Sequence, residues 1–449
     1  MFKNAAMKRL FFLLFMVVFI QQVNSQGTIY PDRIMLTIPG NPATSRAVSW
    51  HTTYKDSVSI GEIALLNVAP ELEQNKIAVT GTFAPWERGS KTAMGHKVVF
   101  ENLKPNTKYT YRVGNGKTWS EWFQFKTSSD QPNPFSFLYF GDVQNDIKSY
   151  GSRILRQGFS HFPKSDFMLF AGDLVKESNE DYWSEFFYAG GWIFGMVPSL
   201  ATPGNHEYDK QEDQPRSFSK HWNQIFTMPS NGPSKKFNNR AYFIDYQGVR
   251  FVSIDSPAYG ENKEEDALVL GWLDQTLANN PNRWVVVFTH YPVYYCCQGR
   301  DKKEYQDAGK IILEKNGVDI VLQGHDHTYC RGQNLPNATA NSRNHPMYVV
   351  SVAGPKMYGL NSNFWSDRMG SNTQLYQHIS FSSDTLSYRS FTVAGDLYDD
   401  FVLIKNKAGI NRVLEPQRAV RINQRTEIPE GEEKEYTEEE MRKYKLKFQ

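Results

Sequence analysis

The pattern of apolar and polar positions divides the chain into two regions. From about Gly27 to Thr127, short segments that alternate apolar and polar residues are separated by Pro, Gly and Asn. This alternation is typical of an antiparallel sandwich, because successive side chains of a strand point to opposite faces. After Pro134, apolar runs such as 135–140 and 167–170 alternate with stretches of helical spacing. The second region is therefore predicted to be a layered α/β domain.

The chain is long enough to require more than one domain, since a single hydrophobic core seldom organises 449 residues. The polar stretch from Ser128 to Pro134 is the predicted linker. After residue 412 the chain is charged and poor in apolar residues, and both a short helix capped at Thr437 and disorder stay open for it. The predicted divisions are a signal peptide over 1–25, a sandwich over 27–128, an α/β domain over 134–411 and a tail over 412–449.

The first residues have the features of an export signal. Lys3, Lys8 and Arg9 precede an unbroken apolar run from Leu10 to Ile20, which is too short to span a bilayer. No cysteine follows this run, and no later stretch reaches the length of a membrane span. We therefore predict an exported protein, either periplasmic or secreted, with neither a lipid anchor nor a membrane span.

The overall charge argues against a nucleic-acid-binding role. The chain has 50 Lys and Arg residues against 48 Asp and Glu residues, for a formal net charge of +2. Binding of a nucleic acid duplex through its backbone requires a concentrated basic surface, which this balance does not indicate. The expected partner is a small phosphorylated molecule, which Lys and Arg near a cleft can attract. The oligomeric state is left open.

Metal-preferring residues occur in five short segments of the second region. Four of the five follow a β-branched or aromatic apolar run, so their side chains are expected to project from loops at the carboxyl ends of strands. Open α/β sheets place ligands at that edge, and the segments are therefore predicted to meet at a two-metal site. The segments are 140–144, 171–173, 204–207, 288–290 and 324–327.

Two metal ions about 3.5–4 Å apart require a shared carboxylate, neutral imidazoles and a bound water that becomes the nucleophile. Asp173 is the predicted bridge, and Asp142 and His327 complete the protein ligands of one ion. Oxygen and nitrogen ligands without thiolates suit zinc, iron and manganese. The residues predicted to hold the other ion are Asn205, His290 and His325.

Two residues beside these ligands have candidate supporting roles. His206 follows Asn205 directly, so its side chain is expected to point away from the ion that Asn205 binds. We favour His206 as a substrate-contacting catalytic group that protonates the leaving alkoxide or stabilises transition-state charge, and the alternative is a structural bond to a carboxylate. Glu207 is expected to support the ligands rather than to react.

The chain has three cysteines, Cys296, Cys297 and Cys330, which lie just beyond predicted ligand loops. So few cysteines do not hold a fold of this size together. Cys330 paired with either Cys296 or Cys297 would tie two site loops to each other and leave one thiol over. Three buried, reduced cysteines are the alternative, because the sequence alone does not supply the Cα separation that a disulfide needs.

In their order along the chain and in their residues, the five segments resemble those of the calcineurin-like metallophosphoesterase superfamily and, within it, the purple acid phosphatases. The likeness extends to Tyr329 and Arg331 after the last segment, and Leu103–Tyr111 resembles the late corner of a fibronectin type III domain. The resemblance implies an all-β, fibronectin type III-like sandwich followed by an α/β metallophosphoesterase domain with two packed sheets flanked by helices. It also implies an acid phosphatase-like, metal-dependent phosphoric ester hydrolase, with phosphomonoesters as the most expected substrates.

Two positions depart from the pattern of that family. Purple acid phosphatases have a tyrosine that binds ferric iron three residues after the second segment's Asp, where this chain has Lys176. Loss of an anionic phenolate favours two divalent ions over a ferric–divalent pair and predicts a colourless protein. Lys176 is a candidate contact for substrate phosphate or a solvated loop lysine. Non-purple relatives have a His where this chain has Gln144, whose amide oxygen is a candidate neutral ligand.

Functions of different classes stay open at this point. A phosphodiesterase or nucleotidase would share the same metal ligands, because loops around the rim of a site determine substrate choice. A secreted binding protein with a degenerate site is a further alternative, in which Lys176 and Gln144 mark the loss of activity. Every other predicted ligand position keeps a competent side chain, which favours the enzyme.

Overall fold

The computed structural model describes most of the chain. The described residues are 30–53, 55–88, 91–209, 216–300, 303–337, 344–361, 365–416 and 424–448. The predicted signal peptide over 1–25 lies outside them. Within these ranges, no helix is both long enough and apolar enough to cross a membrane.

The amino-terminal region forms the predicted β-sandwich. Its strands are β1 Asp32–Thr37, β2 Arg46–Thr52, β3 Ile60–Leu65, β4 Ile77–Thr80, β5 Thr82–Arg88, β6 Lys91–Phe100, β7 Lys108–Gly114 and β8 Phe123–Lys126. One sheet has the order β4-β3-β7-β8, and β1, β2, β6 and β5 are antiparallel neighbours in the other. Apolar side chains from both sheets, including Trp50, Val98 and Tyr111, form one buried core.

The second region alternates strands and helices, as its sequence pattern predicts. Its strands are β9 Phe135–Phe140, β10 Phe167–Phe170, β11 Ser199–Ala201, β12 Tyr208–Asp209, β13 Ser217–Phe218, β14 Tyr242–Tyr246, β15 Val249–Ile254, β16 Trp284–Thr289, β17 Ile320–Gln323, β18 Tyr329–Gly332, β19 Met347–Val350, β20 Arg368–Gly370, β21 Leu375–Phe381, β22 Thr385–Thr392, β23 Leu397–Lys405 and β24 Asn411–Leu414. The helices are α1 Ser152–His161, α2 Glu180–Gly190, α3 Ile193–Met196, α4 Trp222–Ile225, α5 Lys263–Ala278, α6 Lys303–Lys315 and α7 Glu438–Phe448.

Two sheets pack face to face in the second region, and helices cover them. Strand β16 shows how the sequence achieves this. The side chains of Val286 and Phe288 belong to the core between the sheets, whereas Val285 and Val287 join Leu273 of α5 in a second core on the opposite face. Alternate residues of a strand point to opposite faces, so a continuous apolar run is the pattern of a strand buried on both sides. The predicted fold class is confirmed.

The sandwich and the α/β region share a sheet. Strand β1 pairs in parallel with β11, so an eleven-stranded sheet runs from β24 to β5 through β9, β10 and β11. The linker predicted over 128–134 therefore joins two regions whose backbones are also hydrogen-bonded to each other. The predicted limits of the domains stay predictions. Strand β24 extends beyond residue 411, where the sequence placed the end of the α/β domain.

The charged tail has a folded portion that packs near the predicted site. Residues of α7 form a helix, and its Tyr444 is buried in a cluster with Cys296, Cys330 and Leu360. At the start of the helix, the Thr437 backbone N–H donates to the Glu440 carboxylate at 2.9 Å, and the Glu440 N–H donates to the Thr437 hydroxyl at 3.3 Å. This reciprocal pair is a capping box. Of the two possibilities that the sequence left open for the tail, a capped helix and disorder, the helix therefore applies to α7.

A buried ion pair fixes β18 against β23. The Nε atom of Arg331 donates to Asp399 at 2.9 Å, the Tyr329 hydroxyl donates to the same carboxylate at 2.8 Å, and the side chains of Arg331 and Asp399 are fully buried. Arg331 and Tyr329 therefore hold the loop before them in place.

Replacing Asp399 with Ala is expected to lower the free energy of unfolding by about 3–5 kcal/mol, because the Arg331 guanidinium would lose its buried counter-charge. Urea titration monitored by tryptophan fluorescence measures the change. Asp396→Ala, at an exposed turn of the same hairpin, is the control and is expected to change the value by less than about 0.5 kcal/mol. A loss for Asp399→Ala no larger than that of the control would contradict the assignment.

Candidate metal centre

The structure brings the predicted ligands together in two overlapping groups. Asp173, His290 and His325 form one group, and Asp142, Asp173 and His327 form the other, with candidate ligand atoms that all lie within 4.8 Å of one another inside each group. Asp173 belongs to both groups. These are the sets predicted from the sequence for the two ions, with the amide-bearing Asn205 and Gln144 left aside. The arrangement fits two cations that share one carboxylate.

Distances around His290 define the first group. Its Nε2 atom lies 3.2 Å from Oδ2 of Asp173 and 3.2 Å from Oδ1 of Asn205. The Nδ1 atom of His325 also lies 3.2 Å from this nitrogen. Two imidazole nitrogens, a carboxylate oxygen and an amide oxygen thus lie close together, and zinc, iron and manganese accept this donor set.

Asp142 gives the clearest evidence that the second group suits a cation. The residue is fully buried, and its Oδ2 atom accepts the backbone N–H of His325 at 2.6 Å. Its Oδ1 atom has no hydrogen-bond partner among the described residues and lies 3.6 Å from Nε2 of His327. A buried carboxylate oxygen without a donor is unfavourable unless a cation compensates it, so the residues present fit a metal.

Local backbone conformation places these side chains. The φ angles of Asp173, His325 and His327 are +50°, +74° and +47°, in the left-handed region that non-glycine residues rarely adopt. Such residues cluster at functional sites, where the surrounding structure holds them. A Cβ atom at Gly204 would collide with Oδ1 of Asp173, which explains why glycine precedes Asn205.

Glu207 holds two of the site loops together. Its carboxylate accepts the backbone N–H groups of Gly204 at 2.6 Å, Asp173 at 2.9 Å and Leu174 at 2.9 Å. Burial, with the Asp173 charge added to it, raises the pKa of Glu207 to about 7. Its oxygens face backbone donors rather than the ligand groups, in line with the supporting role expected for it.

Backbone carbonyls orient two of the histidines. The Nδ1 atom of His290 donates to the carbonyl of Ala171 at 2.9 Å, and Nδ1 of His327 donates to the carbonyl of Lys356 at 3.0 Å. Because a ligating imidazole needs its other nitrogen fixed by an acceptor, these contacts present Nε2 of both rings to the cluster.

The charges of the cluster are balanced only in part by its own residues. Burial raises the pKa of Asp142 well above its ordinary value, and the charge of His290 offsets this only in part. Burial alone would lower the pKa of His290, but the Asp173 carboxylate raises it to about 9. Burial, with the Lys356 charge added, lowers the pKa of His327 to about 3, so this ring is neutral. Metal ligands must be unprotonated, and a cation here would take the place of the His290 proton.

His206 lies at the edge of the cluster. Its backbone N–H donates to Oδ1 of Asp173 at 2.9 Å, its Nδ1 atom contacts the carbonyl of Lys176, and its Nε2 atom is 3.9 Å from Oδ2 of Asp173. Its side chain is 28% exposed, whereas that of Asp173 is 2% exposed. His206 is thus positioned beside the ligands and reachable from solvent, as a group that meets substrate must be.

Gln144 and Lys176 occupy different positions relative to the ligand groups. The amide nitrogen of Gln144 donates to Oδ2 of Asp173 at 2.8 Å and lies 3.4 Å from Nε2 of His327. Rotation of the amide would exchange nitrogen and oxygen, so the ligand role predicted for its oxygen requires that rotation. Lys176 is exposed, with its Nζ atom 6.0 Å from the centre of the Tyr182 ring. Its contact with substrate stays a prediction.

The structure decides the cysteine pairing that the sequence left open, and it assigns positions to Asp326 and Arg300, which the sequence did not single out. Cys296 and Cys330 form a disulfide with a Cα separation of 6.1 Å, and Cys297 is free and buried. Asp326, between two of the ligands, is buried and accepts the backbone N–H of Cys297 at 3.1 Å. Arg300 contacts His325. Two features of the sequence could have pointed to Arg300 as a residue of the site. They are its positive charge and its position after Gly299 in the loop beyond His290.

Comparisons with known families match both regions of the chain. A model described as calcineurin-like phosphoesterase matches residues 135–329, and one described as the N-terminal domain of purple acid phosphatase matches residues 31–127. The two matches together span the sandwich and all the predicted ligands.

Individual relatives share a modest part of their sequence with this chain. Purple acid phosphatase 21 of Arabidopsis thaliana is 30% identical over 60% of this chain, and the match spans 60% of that protein's length. Acid phosphatase type 7 of Homo sapiens is 24% identical over 72% of this chain and 76% of its own length. Among solved structures, purple acid phosphatase PPD1 from yellow lupin (Lupinus luteus) aligns with a TM-score of 0.66 and 18% identity, covering 86% of this chain and 76% of that one. At that identity the likeness concerns the fold.

Proposed function

Since this chain belongs to the calcineurin-like metallophosphoesterase superfamily and has the two domains of a purple acid phosphatase, we propose that it is an exported binuclear-metal hydrolase of phosphate monoesters. The observation that carries the proposal is the sharing of Asp173 by the two ligand groups. The acid phosphatase names of its relatives support the reaction class. The apolar run near the amino terminus supports export.

The proposed ligands divide between the two ions as the sequence predicts. Asp142 and His327 would hold one ion, Asp173 would be shared by both ions, and the remaining residues would hold the second, with Gln144 as a candidate ligand after rotation of its amide. Two divalent ions of iron, zinc or manganese, when bound, would activate a water and neutralise charge on the phosphoryl oxygens. The residues of the second ion are Asn205, His290 and His325.

His206 is the proposed acid or charge stabiliser. Its Nδ1 atom contacts a carbonyl oxygen, so that nitrogen carries a proton, and Nε2 is the atom that faces the cluster. A protonated Nε2 has a hydrogen to give to a leaving alkoxide.

Removal of metal is expected to abolish hydrolysis, and reloading is expected to restore it. The mature chain would be treated with a chelator and reloaded with Zn²⁺, Mn²⁺ or Fe²⁺. Bound metal would be counted by mass spectrometry, and turnover would be measured with 4-nitrophenyl phosphate and bis(4-nitrophenyl) phosphate. We expect two ions per chain, no purple colour and faster turnover of the monoester.

Other outcomes would identify the alternatives. Faster turnover of the diester would favour a phosphodiesterase, with the same metal ligands but a different substrate rim. Less than one firmly bound ion together with no turnover of either ester would contradict the proposal and favour a binding protein. A purple solution would show that a phenolate other than one at position 176 binds ferric iron.

A further inference from the structure

A polar cavity lies at the junction of the sandwich and the α/β region. It has a volume of about 480 Å³, which is in the range of small-molecule sites. Its walls come from the chain after β1, the predicted linker and the turn between β14 and β15, and they include Asn41, Asp130, Gln131 and Asn282. Ligand sites occur preferentially between domains, so the cavity is a candidate for a second binding site.

The cavity and the proposed metal centre lie at opposite edges of the sheets. Asn282 precedes β16 at its amino end, whereas His290 follows the same strand at its carboxyl end. A strand of six residues spans about 20 Å, since each residue adds about 3.3 Å. A ligand held in the cavity is therefore too far from the metal ligands to be the phosphoryl group that is hydrolysed.

Hydrogen bonds fix the walls of the cavity. The Gln247 side chain accepts the Ser129 backbone N–H at 2.7 Å and donates to the Asn133 carbonyl at 3.1 Å. Asp245 forms a two-point ion pair with Arg250, at 2.8 Å for both contacts. The linker is thereby held against the turn between β14 and β15, and a preformed cavity lowers the ordering cost of binding.

The polar side chains of the lining include donors and acceptors that no other described residue satisfies. They are the Asp130 carboxylate, Oδ1 of Asn282, Nδ2 of Asn41 and Nε2 of Gln131. Lys and Arg are absent from the described lining, so an anion has no counter-charge there. A hydroxyl both donates and accepts, and a ligand with several hydroxyls therefore matches this mixed set better than an anion or a metal cation does.

Apolar surface completes the lining. Pro42, Pro132 and Pro229 contribute saturated rings, and Phe243 contributes an aromatic ring. Small-molecule sites combine such apolar walls with a few polar groups that fix the orientation of the ligand. Sugar rings, which have hydroxyls around their edge and C–H groups on their faces, match walls of this composition.

We propose that this cavity binds an uncharged saccharide of one or two rings. The Asp130 carboxylate and the Asn282 amide oxygen accept from its hydroxyls, and the amide nitrogens of Asn41 and Gln131 donate to them. The site goes beyond the proposed hydrolysis of phosphate esters, since it uses none of the predicted metal ligands. Occupation of the cavity holds the protein on a glycan while the metal centre stays open to substrate.

Saturation-transfer NMR on the mature chain measures sugar binding directly. The probes are glucose, galactose, mannose, N-acetylglucosamine, maltose and cellobiose, each titrated separately. At least one is expected to bind saturably with a Kd of about 1 mM, which is the affinity that a few net hydrogen bonds supply. Treatment with a chelator and addition of inorganic phosphate should both leave that Kd unchanged, because the metal centre takes no part.

Two variants test whether the sugar occupies this cavity. Asp130→Ala removes an exposed hydrogen-bonding group, and its Kd is expected to be about 10-fold higher, as for the loss of a hydrogen bond to a charged group. Gly40→Trp adds a large side chain to the lining and is expected to abolish binding. A Cβ atom at Gly40 meets only the Ser45 hydroxyl, at 3.8 Å, so the backbone accepts a side chain there. Asp181→Ala, at an exposed position of α2, is the matched control and should bind sugar as wild type does.

The possible failures are distinguishable. If none of the six sugars binds saturably, the cavity is not a saccharide site. If a sugar binds but both variants keep the wild-type Kd, the sugar lies elsewhere and the proposal is wrong. If inorganic phosphate displaces the sugar, the sugar occupies the metal centre instead. Sugar binding that both variants weaken, in a protein that hydrolyses no phosphate ester, would support the saccharide site and contradict only the proposed function.

Discussion

Asp173→Asn is expected to reduce bound metal from two ions to fewer than one and to lower kcat/KM by more than about 1,000-fold. The physical reason is that Asp173 is the one residue common to both ligand groups. An amide has no charge to balance two cations, and it offers a single oxygen where the bridge needs a carboxylate. Metal analysis by mass spectrometry and turnover of 4-nitrophenyl phosphate measure the two effects.

The change also removes a charge from the interior, so a matched control is needed. Asp181→Asn makes the same substitution at an exposed position of α2 and should keep both metal and activity. Circular dichroism would establish that Asp173→Asn is folded. Full retention of two ions in a folded variant would contradict the bridging assignment, because the remaining ligands would then suffice.

His206→Ala is expected to keep both ions and to lower kcat about 100-fold or more. The side chain lies beside the cluster but is not a member of either ligand group, so its loss should leave metal binding intact. General acid catalysis contributes on the order of 10²- to 10⁴-fold, which sets the expected loss. Steady-state kinetics together with metal analysis would test both parts of the expectation.

Leaving groups separate the two catalytic roles proposed for His206. An alkyl phosphate expels a basic alkoxide that needs a proton, whereas 4-nitrophenolate leaves without one. An acid role therefore predicts a larger loss with the alkyl ester, and a role in stabilising charge predicts equal losses. Full activity in His206→Ala would exclude both roles. Loss of metal in the variant would show that His206 acts structurally, through the contact of its side chain with the Lys176 carbonyl.

Much of the fold was accessible from local pattern. The alternation of apolar runs with helical stretches after Pro134 predicted a layered α/β region, and in that region β16 divides its side chains between two cores. The alternating segments before Pro134 predicted a sandwich, because a period of two is visible in a single strand. Pairing between β1 and β11 was not accessible, since that register depends on contacts between residues far apart in the chain.

The candidate site shows the same division. Asp142, Asp173 and His290 follow strands whose carboxyl ends meet, and sheet topology alone brings such residues together. The orientation of the Gln144 amide depends on atoms of Asp173 and His327, which are distant in sequence. The same is true of the choice of Cys296 over Cys297 as the partner of Cys330.

By itself, the sequence determined which residue types stand after which strands, and hence the class of site, because strand periodicity and ligand chemistry are local properties. Only the tertiary structure decided how these residues face one another. It placed Asp173 between two groups, left Oδ1 of Asp142 without a donor among the described residues and brought Arg300 against His325. Distances between side chains on separate loops depend on how the sheets pack, and no local pattern encodes that packing.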